Sequence, residues 1–110
     1  MPLFLLQVAY TTDAWAHLVK DPQDRTKAIA GAIEKVGGKI KDFWFTFGDS
    51  DIAGVLEFPD NVSAAAIAMA FAAGGACKSV RTTPLLTIEE GLKAMKKAGQ
   101  SGYKSAIAGR

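Results

Sequence analysis

The chain is poor in the residue types that most often build metal and redox sites. Its 110 residues include one cysteine, Cys77, and one histidine, His17. A single cysteine excludes a disulfide within the chain and any cysteine-cluster metal site. A single histidine excludes a multi-histidine metal site within one subunit. We therefore expect no metal and no cofactor.

The chain also lacks a strong excess of charge and a long apolar run. Its 13 basic and 11 acidic residues give a formal net charge of +2, whereas nucleic-acid-binding proteins cluster basic residues on one face. No stretch approaches the about 18 apolar residues of a membrane span. The first residues carry no basic segment of the kind that opens an export signal. We therefore expect no nucleic-acid partner, no membrane association and a cytoplasmic location.

Residues 37–60 are the part of the sequence that is most informative about the fold. Aromatic and β-branched side chains fill residues 40–47, as half-buried strands prefer. Residues 48–51 are Gly-Asp-Ser-Asp, which are turn formers, and residues 52–58 are apolar except for Glu57. This pattern predicts a β-hairpin in the middle of the fold.

The remaining segments predict helices and strands on both sides of this hairpin. Thr11, Thr12 and Asp13 are candidate N-caps for a short first helix. Pro84 within the last extended segment points to an edge strand or an interrupted one. The predicted segments are a strand at 3–10, helices at 13–19, 22–36 and 61–72, a strand at 78–88 and a last helix at 88–98.

The order of these segments is β-α-β-β-α-β followed by a C-terminal helix, which predicts an α+β, ferredoxin-like domain with an antiparallel four-stranded sheet. We place the domain at residues 1–97 and a flexible tail or oligomerisation arm at 98–110. The long helices of such a domain cover one face of the sheet. A bare apolar face would be a liability, so we expect a second copy to cover the other face in a homodimer or a larger homo-oligomer.

Several motifs give the chain a resemblance to a known family. They are Gly37-Gly38-Lys39-Ile40, the Gly48-X-Ser50-Asp51 turn, Glu57-X-Pro59-Asp60, the Ala-rich helix and the segment from Ser79 to Thr87. In this order, over about residues 1–92, they resemble the GYD-domain family. The resemblance implies a dimeric α+β barrel and carries no generally established activity. Ser50 stands where the family has a tyrosine, so a role that needs a phenol at this turn is in doubt.

Alternation along the hairpin divides its side chains between two faces. Phe43, Phe45 and Phe47 share one face of the first strand, and we expect them to pack beneath the helices. Trp44 and Thr46 then face the space between subunits.

A candidate site follows from this division. We expect Gln7, Trp44, Asp51, Glu57 and Arg81 to gather around one cavity. A partly desolvated carboxylate at Asp51 or Glu57 could act as a general acid or base, and Arg81 could bind an anion with two hydrogen bonds. The alternative interpretation is structural: Asp51 caps the turn, and Glu57 pairs with Arg81 or Lys41 across the sheet.

Three further residues carry weaker hypotheses. His17 could be a lone acid–base group, with Tyr10 beside it as a ligand-binding residue, or it could be a solvated or capping histidine. Cys77 could be activated by a nearby lysine, or it could be a small buried thiol.

The function we expect is binding of a small molecule, anionic ones included, in a cavity between sheet faces. A ligand-sensing or structural assembly protein without chemistry is one alternative. A small cofactor-free oxygenase or isomerase is another, because barrels related to the family include monooxygenases and isomerases; fold alone does not establish function.

Overall fold

A computed structural model describes residues 1–107 of the chain. Within these residues the chain forms four strands and four helices. In chain order they are β1 (Leu3–Tyr10), α1 (Thr12–Lys20), α2 (Thr26–Lys35), β2 (Lys39–Phe45), β3 (Ile52–Glu57), α3 (Asn61–Ala73), β4 (Cys77–Leu85) and α4 (Ile88–Gly99).

The four strands form one antiparallel sheet in the order β2-β3-β1-β4. Helices connect β1 to β2 and β3 to β4, which is the ferredoxin-like arrangement. The predicted α+β fold with an antiparallel four-stranded sheet is therefore confirmed. Pro84 lies in β4, which is an edge strand, as its missing N–H group predicted.

The core lies between one face of the sheet and the helices. Alternate residues of β1 and β3 are buried, and they meet Ile33 of α2 and Ile67 of α3. The rings of Phe4 and Phe58 contact each other edge to face, with centroids 5.6 Å apart. Because burial alternates along both strands, the opposite face of the sheet is left without helices.

The hairpin differs from its prediction at the end of β2. Phe43 packs against the core as expected, over Gly54 of β3. Phe45 is 69% exposed and Phe47 is fully exposed, so the expectation that both pack beneath the helices is wrong. Phe45 pairs with Ile52 and so points to the helix side, but the helices do not cover this end of the edge strand. Phe47 follows the last residue of β2, where strand alternation no longer applies.

Helix starts follow local hydrogen bonds. The Thr11 hydroxyl caps α1, the Asp60 carboxylate caps α3, and Thr87 with Glu90 forms a capping box at α4. α2 begins at Thr26, four residues later than predicted. The Asp24 carboxylate accepts the Thr26 N–H at 2.8 Å, and such a local turn competes with an earlier helix start.

The C-terminal helix lies outside the core. α4 contributes no buried residue, and its apolar side chains Ile88, Leu92 and Met95 are exposed. The Cα radius of gyration is 17.8 Å, whereas a compact domain of this length has about 13 Å. The predicted tail starts at Ala98, but α4 continues to Gly99, and residues 108–110 lie outside the described residues.

The helices are too short or too polar to cross a bilayer. Among residues 1–107, no helix has both the length and the apolar character that a membrane span requires.

Candidate functional site

Three of the predicted site residues form a row across the helix-free face of the sheet, which we call the open face. Trp44 pairs with Ala53, Ala53 with Gln7, and Gln7 with Arg81. Directly paired residues point to the same side of a sheet, so Trp44, Gln7 and Arg81 share this face. Around the row the open face is mixed in character. Leu3, Leu5, Val55 and Leu85 are half-buried on it, and the polar residues Asp42, Glu57 and Thr83 share it.

The two predicted carboxylates lie away from this row. Glu57 is four residues along β3 from Ala53, or about 13 Å. Its carboxylate lies 3.0 Å from the Lys41 ammonium, and this hydrogen bond lowers the pKa of Glu57. Arg81 is not its partner, because Arg81 pairs with Gln7 across the neighbouring strands.

Asp51 connects the hairpin to the end of β1 and the start of α1. Its Oδ2 accepts a hydrogen bond from the Tyr10 backbone N–H at 2.8 Å and another from the Trp15 indole Nε1 at 3.1 Å. The Tyr10 and Trp15 rings contact each other edge to face. At the family's tyrosine position, Ser50 accepts the Thr46 hydroxyl through its backbone carbonyl at 2.6 Å.

A large cavity lies on the other side of the sheet, beneath α1. It has a volume of about 660 Å³ and lies between the helix-facing side of the sheet, α1, the start of α2 and the C-terminal end of α3. We call it the helix-side cavity. Its apolar wall is formed by Leu6, Val8, Ile29, Phe43, Ile52 and Phe71, and its polar lining by Tyr10, Thr11, Asp13, His17, Gln23, Arg25 and Cys77.

The cavity exists because neither neighbouring helix fills it. α1 contributes no buried residue, and the chain between α1 and α2 is not helical. At the end of α3, Phe71 is the one large lining residue; Ala70 in the helix and Gly74, Gly75 and Ala76 just after it are small. Nearer the start of α3, Ala64 and Ile67 are buried against the sheet. The small residues at and just after the end of α3 therefore leave space there.

Two of the polar groups in the cavity, the Tyr10 phenol and the Cys77 thiol, are electrically neutral at ordinary pH. Burial raises the pKa of the Tyr10 phenol; Cys77 and Asp51 raise it further, and Arg25 opposes them. Burial also raises the pKa of the Cys77 thiol. A thiol with a raised pKa carries little thiolate at neutral pH and is a weak nucleophile, so the environment of Cys77 favours the small buried thiol over the activated one.

The sequence hypotheses thus separate into two places. Gln7, Trp44 and Arg81 lie together on the open face, whereas Tyr10 and His17 line the helix-side cavity. Sequence reasoning missed Asp13, Gln23 and Arg25 as lining residues. Gln23 and Arg25 lie in the non-helical connection before Thr26, and recognising that connection is what could have found them. Asp13 lies in α1 and had no such signal.

Metal-ligating side chains do not converge in the described part of the chain. Within it, no group of three or more histidine, cysteine, aspartate or glutamate side chains is placed to hold a metal ion.

The arrangement of strands and helices identifies the fold class of the protein, and a family model then identifies its family. A four-stranded antiparallel sheet in this order, with helices on one face, makes the protein an α+β domain of the ferredoxin-like type. The model of the GYD domain family matches residues 4–95, so the chain belongs to the GYD domain family. This confirms the resemblance found in the sequence motifs. Comparisons with curated proteins and with solved structures gave no match.

Proposed function

We propose that the protein binds a small, largely apolar molecule in the helix-side cavity and acts as a cytoplasmic homodimer. The observation that supports binding is the cavity itself. Its volume of about 660 Å³ lies within the roughly 300–1,000 Å³ of small-molecule sites. Such sites combine an apolar wall with a few polar groups, and this lining has both.

A packing defect explains the cavity less well than a ligand does. Protein interiors are close-packed, with few voids larger than a water molecule, and a water occupies about 30 Å³ of liquid. The helix-side cavity is far larger and is open to solvent on one side. Three apolar side chains of its wall, Ile29, Phe43 and Phe71, are only half-buried. A bound apolar molecule would remove them from water, which is the main source of favourable free energy in such a site.

Binding also accounts for the site better than acid–base catalysis. Asp51 is engaged by two N–H donors and Glu57 by Lys41 on the other side of the sheet. Neither carboxylate lines the helix-side cavity. Of the three proposed catalytic residues only His17 lines the cavity, and its side chain is exposed.

The homodimer is supported by the open face. Four strands about 4.8 Å apart, with roughly seven residues each, present on the order of 450 Å² per copy. Two such faces approach the roughly 1,000 Å² that a specific interface needs. Exposed Trp44 is part of this face, and the exposed apolar side chains of α4 would add further area. Membership in the GYD family carries the same expectation of a dimeric barrel.

Binding in the helix-side cavity can be tested with a neutral fluorescent probe and a blocking variant. N-phenyl-1-naphthylamine emits strongly only in an apolar environment, so its fluorescence reports binding. Ala70 of α3 lines the cavity, and Ala66, one turn earlier, does not. We expect the wild type to bind the probe, Ala70→Trp to bind it at least roughly tenfold more weakly by occupying the space, and Ala66→Trp to bind it like the wild type.

Two results would contradict the proposal. One is a wild type that does not bind the probe; the other is an Ala70→Trp variant, shown to be folded by circular dichroism, that binds it as well as Ala66→Trp does.

A further inference from the structure

Besides the neutral Tyr10 phenol and Cys77 thiol, three ionisable side chains line the helix-side cavity: Asp13, His17 and Arg25. Arg25 differs from the other two in its position. It also borders a smaller recess of about 80 Å³ that adjoins the cavity and shares its wall of Ile29, Phe43 and Ile52. Arg25 therefore lies at the edge of a continuous apolar surface.

Arg25 has no charged partner in the described part of the chain. Within residues 1–107 the salt bridges are Lys41–Glu57 and Lys93–Glu89. Asp24 borders the recess too, but its carboxylate accepts the Thr26 backbone N–H. Arg25 is the N-cap residue of α2, and its guanidinium, which has only hydrogen-bond donors, cannot cap the helix. The guanidinium thus has no structural role that its contacts reveal.

The charge of Arg25 acts on the inside of the cavity. Its positive charge lowers the pKa of the Tyr10 phenol, against the larger effect of burial. Tyr10 lies at the end of β1, across the cavity from α2, and lines both the cavity and the recess. A negative group placed between Tyr10 and Arg25 would therefore meet a cation and a neutral phenol. The nearby carboxylates of Asp51 and Asp24 are each occupied in accepting N–H groups of the protein.

We propose that the ligand is an amphipathic organic anion, whose apolar body lies on the Ile29–Phe43–Ile52 wall and whose carboxylate or other oxyanion is held by Arg25. This inference rests on the proposed function and adds the chemical class of the ligand. A guanidinium presents a planar set of donors that matches an oxyanion with two hydrogen bonds, and it is less strongly hydrated than an ammonium group. A neutral ligand of the same shape gains nothing from it.

A pair of probes that differ by one charged group tests this directly. The sulfonate 8-anilinonaphthalene-1-sulfonate carries the ring system of N-phenyl-1-naphthylamine plus one anionic group. We expect the wild type to bind the sulfonate more tightly than the neutral probe. Arg25→Gln should weaken sulfonate binding roughly three- to tenfold and leave neutral-probe binding within about twofold, since the apolar wall is unchanged.

A matched control separates a local contact from general charge. Lys20 is an exposed cation at the end of α1 that does not line the cavity, so Lys20→Gln removes the same charge elsewhere. We expect it to bind both probes like the wild type. Added salt should reduce the preference for the sulfonate in the wild type and have little effect on Arg25→Gln, because exposed charge interactions are screened.

The outcomes distinguish this inference from the proposed function. If the neutral probe binds in an Ala70-dependent manner but Arg25→Gln changes neither probe, or weakens both equally, the anionic ligand is wrong and the cavity remains a binding site. If neither probe binds in an Ala70-dependent manner, both proposals are overturned.

Discussion

At the residue scale, the contact between Phe43 and Gly54 positions β2 on the core. The Phe43 ring lies where a Cβ atom on residue 54 would be, and its Cε1 would be 2.7 Å from such an atom. Gly54 is buried, so the ring has no room to move into solvent on that side. The absence of a side chain at one position of β3 therefore allows an aromatic ring of the neighbouring strand to reach the core.

Replacing Gly54 with alanine tests this contact. We expect Gly54→Ala to destabilise the fold by about 1–3 kcal/mol, because overpacking forces the ring or the strand to shift. Gly31 lies within α2, and a methyl group added there would have no neighbour within 4 Å, so Gly31→Ala should instead stabilise by about 0.5–1 kcal/mol. Urea unfolding at one protein concentration measures both, and equal stabilities for the two variants would contradict the contact.

The sequence predicted this residue-scale arrangement only in part. Alternation placed Phe43 towards the helices, which is confirmed. It also placed Phe45 and Phe47 there, which is wrong, because alternation specifies a side of the sheet and not whether a helix covers it. The pairing of β2 with β3 also shifts between Ile40 and Asp42, and no residue pattern indicated that irregularity.

At the element scale, one carboxylate connects three segments. Asp51 precedes β3, and its side chain holds the backbone of β1 at Tyr10 and the indole of α1 at Trp15. α1 has no buried residue of its own, so this link is one of the few contacts that position it above the helix-side cavity. The sequence identified Asp51 as important but could not show whether its partners were a substrate or the protein itself.

Removing the Asp51 carboxylate should reduce stability where the hairpin meets β1 and α1. We expect Asp51→Ala to cost about 1–3 kcal/mol, because the Tyr10 and Trp15 N–H groups lose their acceptor while partly buried. Asp51→Asn keeps an acceptor oxygen and should cost less. Asp49→Ala removes a nearby exposed carboxylate of the same turn and should be nearly neutral. Thermal unfolding followed by tryptophan fluorescence measures the series; an Asp49→Ala loss as large as that of Asp51→Ala would refute the link.

At the scale of the whole molecule, two surfaces that carry apolar side chains have no partner within the described chain. One is the open face of the sheet, and the other is the stripe of Ile88, Leu92 and Met95 on α4. Both lie outside the core between sheet and helices. Exposed apolar surface of this extent is typical of an interface, and the elongated shape of the protein leaves α4 free to contact a second copy.

Measuring the oligomeric state of variants tests whether the open face forms the dimer interface. We expect light scattering at micromolar concentration to give twice the 11.6 kDa mass of the chain. Val55 lies near the middle of the open face, so Val55→Lys should give the single-chain mass while remaining folded. Val62 is exposed on α3, and Val62→Lys should stay dimeric. A wild type of single-chain mass would overturn the homodimer.

The sequence by itself determined the elements, their order and the family, because hydrophobic periodicity, caps and turn residues are local properties that neighbouring positions specify. It also indicated that one face of the sheet would lack helices. Only the tertiary structure decided where space remains. The helix-side cavity depends on how far α1 stands from the sheet and on the small residues at and just after the end of α3. Both arise from packing between segments that are far apart in the chain. For the same reason Arg25, which no sequence motif singled out, became the cation beside that cavity.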